Sequence, residues 1–114
     1  MSDSVGFSVL YRFKVHPGRE EDFRKGWRQM TDAIRDTRGG LGSRLHLTDD
    51  GTFVAYAQWP DKDTWERSQE LGPAHGEAAR LMAESVKERL PPILLHPEID
   101  LLEMLPIKPA VSPA

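Results

Sequence analysis

The stretch from Trp59 to His75 concentrates the side chains best suited to chemistry, because it places two tryptophans and one histidine within seventeen residues. The His75 imidazole can accept a proton near neutral pH, since an unperturbed histidine has a pKa of about 6.5. A histidine at the start of a helix is also typical of a capping residue. The indoles of Trp59 and Trp65 can stack on a planar ligand or simply fill a core, and the Tyr11 hydroxyl can bind an oxyanion or a backbone group.

Several classes of function are excluded by residues that the sequence lacks. It has no cysteine, which rules out thiol nucleophiles, disulfides and thiolate metal sites. Its remaining histidines, His16, His46 and His96, are isolated in sequence and predict no local metal site. A net charge of -3 over 114 residues leaves no excess of positive charge with which to bind nucleic acid. With no leader pattern and no apolar run of membrane-spanning length, we expect a cytoplasmic protein that does not bind membranes.

The elements that must position these residues follow from strand-like alternation and helical periodicity. In chain order the predicted elements are a strand over 7–15, a helix over about 18–38, a strand over 41–48, a strand over 52–59, a short helix carrying Trp65 and a helix over about 74–90. The last element is an edge strand, or a strand with an irregular start, within 93–105, and its regular part is expected over 98–104. Asp61 or Asp63 can cap the short helix, and Gly72-Pro73 interrupts it. We expect one domain over 1–105 and a flexible tail over 106–114.

This order, βαββαβ with a broken second helix, predicts an α+β fold of the ferredoxin-like type, with an antiparallel sheet covered on one face by helices. The helical stripes that we expect to face the sheet contain Phe23, Trp27, Met30 and Ile34 on the first helix and Leu81, Met82, Val86 and Leu90 on the last. The opposite sheet face, with Leu10, stays partly apolar and predicts a homodimer formed by sheet packing. Arg12 and Arg44 on that face would need a carboxylate such as Asp100 or Glu103.

Three short segments carry a resemblance to a known family. They are Ala57-Gln58-Trp59-Pro60, Asp63-Thr64-Trp65 and Leu71-Gly72-Pro73-Ala74-His75. The chain from about Phe7 to Leu102 resembles the antibiotic biosynthesis monooxygenase family of dimeric α/β-barrel proteins. The resemblance implies a two-subunit barrel, with a pocket between sheet and helices in each subunit. It also implies the oxidation of quinols, anthrones or similar polycyclic phenolics by dioxygen, without a metal or another cofactor.

On this resemblance we expect a cofactor-independent monooxygenase in which His75 accepts the substrate proton and Tyr11 stabilises the oxyanion. The residues expected to bind the aromatic or apolar ligand are Phe23, Trp27, Trp59, Trp65 and Met82. One alternative is a non-catalytic ligand-binding or stress-response protein that uses the same dimeric barrel. A weaker alternative is haem binding or degradation, but the Asn and Trp positions of the haem-degrading branch fall on Tyr11 and near Ser68 in this chain.

Overall fold

The middle of the protein is a long apolar strand, β1, in an antiparallel sheet with helices over one face. The structure is a computed structural model that describes residues 6–103. Its elements in chain order are β1 (Phe7–Val15), α1 (Glu20–Thr37), β2 (Ser43–Leu47), β3 (Phe53–Trp59), α2 (Lys62–Glu70), α3 (Gly76–Ser85), β4 (Val86–Arg89) and β5 (Ile93–Leu95). Among the described residues, no helix combines the length and the apolar character needed to cross a bilayer.

The sheet has the strand order β2-β3-β1-β4, and β5 also pairs with β1. All of these pairings are antiparallel. The predicted hairpin between β2 and β3 is confirmed, and it turns through Gly51, whose φ of 86° is one that glycine adopts without steric cost. The α+β, ferredoxin-like arrangement is therefore confirmed, and the two strands β4 and β5 together occupy the place of the single predicted last strand.

The core lies between the helices and the inward face of β1 and β3, as the alternation predicts. Phe7, Val9 and Phe13 on β1 are buried, and so are the side chains of β3 that face the same way. On α1, Phe23 is 0 % exposed and its ring lies 5.2 Å from that of Phe13 and 4.8 Å from that of Phe53. This aromatic cluster fixes α1 over one end of the sheet.

The predicted extent of the last helix is wrong, because α3 ends at Ser85 and not near residue 90. The next four residues form β4, in which Val86 pairs with Val15 and Arg89 with Phe13. The edge of β1 would otherwise leave backbone N–H and C=O groups unpaired, and pairing them outweighs continuation of the helix. The apolar spacing of Met82, Val86 and Leu90 fits a continued helix equally well, so periodicity alone does not show where the helix ends.

The final strand lies within the predicted segment 93–105, but the prediction that its regular part covers 98–104 is wrong for the described residues 98–103. The observed strand is β5, in which Leu95 pairs with Ser8, and residues 98–103 are not in a strand. Ser8 is only one residue from the start of β1 at Phe7, so β1 offers almost no further edge to the residues that follow Leu95. Pro91-Pro92, which cannot donate ladder hydrogen bonds, separates β4 from β5 along this edge. Residue 104 and the predicted tail over 106–114 lie outside the described residues.

The packing of α1 on α3 depends on Gly26, and we expect Gly26→Ala to destabilise the protein by about 1 kcal/mol. A Cβ at this position would lie 2.7 Å from Met82 Cγ and 3.2 Å from the Ala78 carbonyl oxygen. Overpacking of this kind costs roughly 1–3 kcal/mol, and subtracting the gain of about 1 kcal/mol that alanine brings to a helix leaves a net loss of about 0–2 kcal/mol. Urea denaturation followed by circular dichroism measures the difference.

The matched control is Gly76→Ala in the first turn of α3, where an added Cβ meets nothing within 4 Å. We expect this variant to be as stable as the wild type or slightly more stable. Equal stability of the two alanine variants would show that close approach at Gly26 is unimportant.

Candidate active site

A cavity of about 340 Å³ lies between the inward face of the sheet and the helices. This volume falls near the lower end of the range of about 300–1,000 Å³ that is typical of small-molecule sites. The apolar side chains of its lining belong to Phe13, Trp27, Met30, Ile34, Ala57, Trp59, Pro73, Ala74, Ala79 and Met82. Tyr11 lines the same cavity from the middle of β1. The space is therefore suited to an aromatic or other apolar ligand of modest size.

The polar group in this lining with the most defined environment is the Tyr11 hydroxyl. The Trp65 Nε1–H donates a hydrogen bond to the Tyr11 oxygen over 2.9 Å. Trp65 lies on α2, and this helix is capped by Asp61, whose side chain accepts a hydrogen bond from the Thr64 N–H over 2.8 Å. Asp61 is thus the cap, one of the two predicted candidates. Because indole can only donate, the Tyr11 O–H keeps its own proton for another acceptor.

Burial raises the pKa of Tyr11 above its usual value, and the hydrogen bond from Trp65 and the positive charge of Arg89 oppose this shift without cancelling it. The phenol is therefore neutral at physiological pH and acts as a hydrogen-bond donor. Arg89 also lines the cavity, and its guanidinium lies 5.1 Å from the centre of the Phe13 ring. The cavity thus combines a largely apolar wall with the neutral phenol of Tyr11 and the cation of Arg89, and its lining also includes the polar residues Thr31, Ser43, Gln58, Ser68 and Gln69.

A second polar group in the lining joins α1 to β2. The Trp27 Nε1–H donates to the Ser43 hydroxyl over 3.0 Å, and that oxygen lies 3.0 Å from the Thr31 hydroxyl. Both hydroxyls line the cavity. Sequence reasoning missed them, and it missed Arg89, because their positions depend on the pairing of β2 and β4 with the rest of the sheet.

The structure brings together four of the seven residues that we expected at the site. The residues that line the cavity are Tyr11, Trp27, Trp59 and Met82. Phe23 is fully buried in the neighbouring aromatic cluster and is not among the lining residues. Trp65 is also absent from the lining, and it reaches the site through its hydrogen bond to Tyr11.

His75 lies at the N-cap of α3 and is likewise not among the residues lining the cavity. Its Nδ1 accepts a hydrogen bond from the Ala78 N–H over 3.1 Å. In a neutral imidazole, this arrangement assigns the proton to Nε2 and engages the basic nitrogen. The predicted role of His75 as proton acceptor needs a substrate for its test and stays a prediction. Among residues 6–103, no group of three or more potential ligands could hold a metal ion.

The sequence matches the model of the antibiotic biosynthesis monooxygenase family over residues 6–81, and the chain belongs to this family. The comparison with curated proteins found no significant match. Among solved structures, it is similar to SnoaB, a cofactor-independent oxygenase from Streptomyces nogalater, with 19% identity, a TM-score of 0.69 and coverage of 85% of this chain and 97% of that one.

Two further solved structures share the fold. Rv0793 from Mycobacterium tuberculosis is 16% identical, with a TM-score of 0.68 and coverage of 84% of this chain and 98% of that one. PA3566 from Pseudomonas aeruginosa is 19% identical, with a TM-score of 0.65 and coverage of 86% and 100%. Similarity at this level of identity establishes the fold, and the chemistry has to be argued from the site.

We expect Tyr11 to ionise above pH 10, and we expect Trp65→Phe to raise its pKa further, because the indole N–H stabilises the phenolate. The chain has two tyrosines, so a Tyr56→Phe background leaves Tyr11 as the only one. Ultraviolet difference titration of the phenolate in this background measures the pKa directly. An unchanged or lower pKa in Trp65→Phe would contradict the assigned hydrogen bond.

The same shift predicts how stability depends on pH. Because the folded-state pKa of Tyr11 lies above the unfolded value of about 10, the folded protein holds a proton that the unfolded chain loses first. The stabilisation is fully present below pH 10 and is lost as the pH rises through the folded pKa. Urea denaturation between pH 9 and 11 should show a steeper loss for the wild type than for Tyr11→Phe.

Proposed function

We propose that the protein is a cofactor-independent monooxygenase that oxidises a quinol, an anthrone or a similar aromatic substrate. The observation that carries this proposal is that Tyr11, a neutral phenol held by Trp65, lines a largely apolar cavity together with Arg89. A donor and a cation both favour a substrate anion over its neutral form. Membership of the family supports a monooxygenase as the class of enzyme.

The chemistry needs only the substrate and dioxygen. Proton loss from the substrate gives an enolate or phenolate, which passes one electron to dioxygen. The substrate radical and superoxide then combine to form a C–O bond, and the O–O bond of this peroxide breaks with loss of water to leave a carbonyl. For an anthrone, one CH₂ group and one O₂ become one C=O group and one H₂O. The substrate thus supplies all four electrons, so the proposal requires no cofactor.

In this scheme Tyr11 donates a hydrogen bond to the substrate oxygen as negative charge develops on it. The hydrogen bond from Trp65 holds the Tyr11 oxygen in place, so the donor is oriented before the substrate arrives. The positive charge of Arg89 adds long-range stabilisation of the same anion. Trp27, Trp59 and Met82 would contact the rings of the substrate.

The scheme also needs a group that accepts the substrate proton, and His75 is our candidate for this base. Its imidazole would have to leave the Ala78 N–H before its Nδ1 could accept a proton. Substrate ionisation without a protein base is the alternative, because phenolic substrates already lose a proton more readily than alcohols and the cavity favours the anion. Replacement of His75 by a residue that still caps α3 separates these two routes.

We expect Tyr11→Phe to lower kcat by about 100-fold, the usual effect of removing one oxyanion donor. Oxygen uptake in the presence of dithranol (1,8-dihydroxyanthrone) and a panel of quinols measures this rate. His75→Asn is the second variant, since asparagine is a good N-cap and retains the helix start while removing the imidazole. A fall in rate for His75→Asn supports the base, and an unchanged rate assigns ionisation to the substrate.

The His75→Ala variant is the control for the cap, because it removes both the imidazole and the hydrogen bond to α3. Equal rates for the wild type and a Tyr11→Phe, His75→Ala double variant would contradict both assigned roles. Circular dichroism of each variant confirms that a lost rate is not a lost fold.

A non-catalytic binding or stress-response protein is the second candidate, and one observation favours it. None of the residues that line the cavity, in the described part of the chain, is a histidine, an aspartate or a glutamate. Quenching of tryptophan fluorescence by dithranol under argon measures binding alone. Binding without oxygen uptake in air would identify this second function. A haem titration with a shifted Soret band would instead favour the haem-binding branch.

We also propose that the protein is a homodimer in the cytoplasm. The sheet face opposite the helices carries the cations Arg12, Lys14 and Arg44 beside Leu10, and Arg12 Nε is buried without a hydrogen-bond partner among the described residues. The segment 98–103 has the complementary character, with acidic residues and exposed apolar ones. Its exposed apolar residues are Ile99, Leu101 and Leu102, at 80%, 86% and 80%. In a two-fold dimer, the segment 98–103 of each copy would cover the cationic face of the other copy.

We expect the wild type to sediment as a dimer at micromolar concentration and Arg44→Glu to shift it towards the monomer. The reversed charge would repel Asp100 and Glu103 of the second copy. Lys62→Glu is the matched control, because it makes the same charge change on exposed α2, away from this face. A monomeric wild type, or equal sedimentation of both variants as dimers, would contradict the proposed surface.

A further inference from the structure

We propose that Arg38 is a positioning residue that holds the rim of the cavity closed over the ligand. This proposal rests on the proposed function only because it takes this cavity as the substrate site. Arg38 follows α1 directly and is not itself among the residues that line the cavity. It acts instead through the linker between α2 and α3, which we define as residues 71–75.

The linker forms part of the cavity rim. Gly72 and Pro73 line the cavity and are also exposed to solvent, so they lie where the cavity meets the surface. Gly40 and Gly42, which closely follow Arg38 in sequence, line another part of the same cavity. Arg38 therefore connects two chain segments that both belong to the wall.

The connection is made by one guanidinium and a group of backbone carbonyls. Arg38 Nη1 donates to the Ser68 and Gly72 carbonyl oxygens, each over 2.9 Å, and Nη2 donates to the Pro73 carbonyl oxygen over 3.4 Å. The Ser68 hydroxyl is a further acceptor at 3.4 Å. Charged donors make the stronger class of hydrogen bond, and a cation at the C-terminal end of a helix is favoured by the helix dipole.

Little else that the structure describes fixes the linker. Leu71 is 68% exposed, and Gly72 has a φ of 79° and makes a backbone hydrogen bond only to Gln69, within the same turn. α2 itself is tied to the sheet by Trp65, on the earlier part of the helix, whose N–H bonds to Tyr11 and whose ring lies 5.8 Å from that of Phe7. Without Arg38 the linker would keep its attachment to α3 and lose its attachment to α1, so Gly72 and Pro73 could move away from the rim.

This arrangement gives Arg38 a role distinct from general stabilisation. A residue that only stabilises the fold changes the protection of the whole molecule when it is removed. A residue that holds the rim changes the protection of the linker and the access to the cavity, and leaves α3 and the sheet as they were. All three tryptophans are suitable reporters of access, because Trp27 and Trp59 line the cavity and Trp65 bonds to Tyr11.

The test compares Arg38→Met and Arg38→Lys with Arg35→Met. Arg35 lies three residues earlier, pairs with Asp32 over 2.8 Å and makes no hydrogen bond to the linker, which makes it the matched control. We expect hydrogen exchange of the linker amides to rise by about tenfold in Arg38→Met, as expected when charged hydrogen bonds are lost, with α3 unchanged. Lysine, which keeps the charge but not the fork of donors, should restore part of the protection.

The second readout is acrylamide quenching of tryptophan fluorescence, which should increase in Arg38→Met and not in Arg35→Met. Where the wild type oxidises dithranol, Arg38→Met should raise KM and leave kcat nearly unchanged. Unchanged linker exchange and quenching in Arg38→Met would overturn the inference, and so would faster exchange spread over the whole chain. Neither exchange nor quenching requires a substrate, so a failed oxygenase assay leaves this test intact, and a failed test of Arg38 leaves the oxygenase proposal standing.

Discussion

The rest of the structure depends on one constraint, which is that β1 must be paired along both edges and covered on one face. One edge takes β3, and the other takes β4 and β5 in succession. Because alternate side chains of a strand point the same way, the five inward residues of β1 form a continuous apolar row from Phe7 to Val15. Tyr11 lies in the middle of that row, so the register that builds the core also makes Tyr11 part of the cavity lining.

The first two-thirds of the fold could be predicted from the sequence because its signals are local. Alternation defines β1 and β3, the stripe of α1 defines its buried face, and glycine and aspartate mark the turn between β2 and β3. The segment after α3 could not be predicted in the same way. Val86 fits both the helical spacing and a strand, and the decision is made by the unpaired edge of β1, which lies more than seventy residues earlier in the chain.

The same distinction explains the candidate site. Tyr11, Trp27, Trp59 and Met82 could be predicted because each belongs to an inward face that periodicity identifies. Arg89 could not, since it reaches the cavity only through its pairing with Phe13 on β1. His75 was ambiguous because the same residue type suits proton transfer and helix capping, and the structure shows the cap. Aromatic residues also resist assignment from sequence alone, since Trp59 is both buried core and cavity wall.

The electrostatics of the cavity favour some anions over others. Burial raises the pKa of Tyr11, and the same desolvation penalises any anion that enters the cavity. A carboxylate concentrates its charge on two oxygens, so its desolvation costs more free energy. The anion of a quinol or anthrone spreads its charge over an aromatic system, so its desolvation costs less. The Tyr11 hydroxyl and the Arg89 cation would offset the smaller cost without a second charged group. On the proposed function, the largely apolar wall together with Tyr11 and Arg89 would therefore favour a delocalised aromatic anion, which is also the species that transfers an electron to dioxygen most readily.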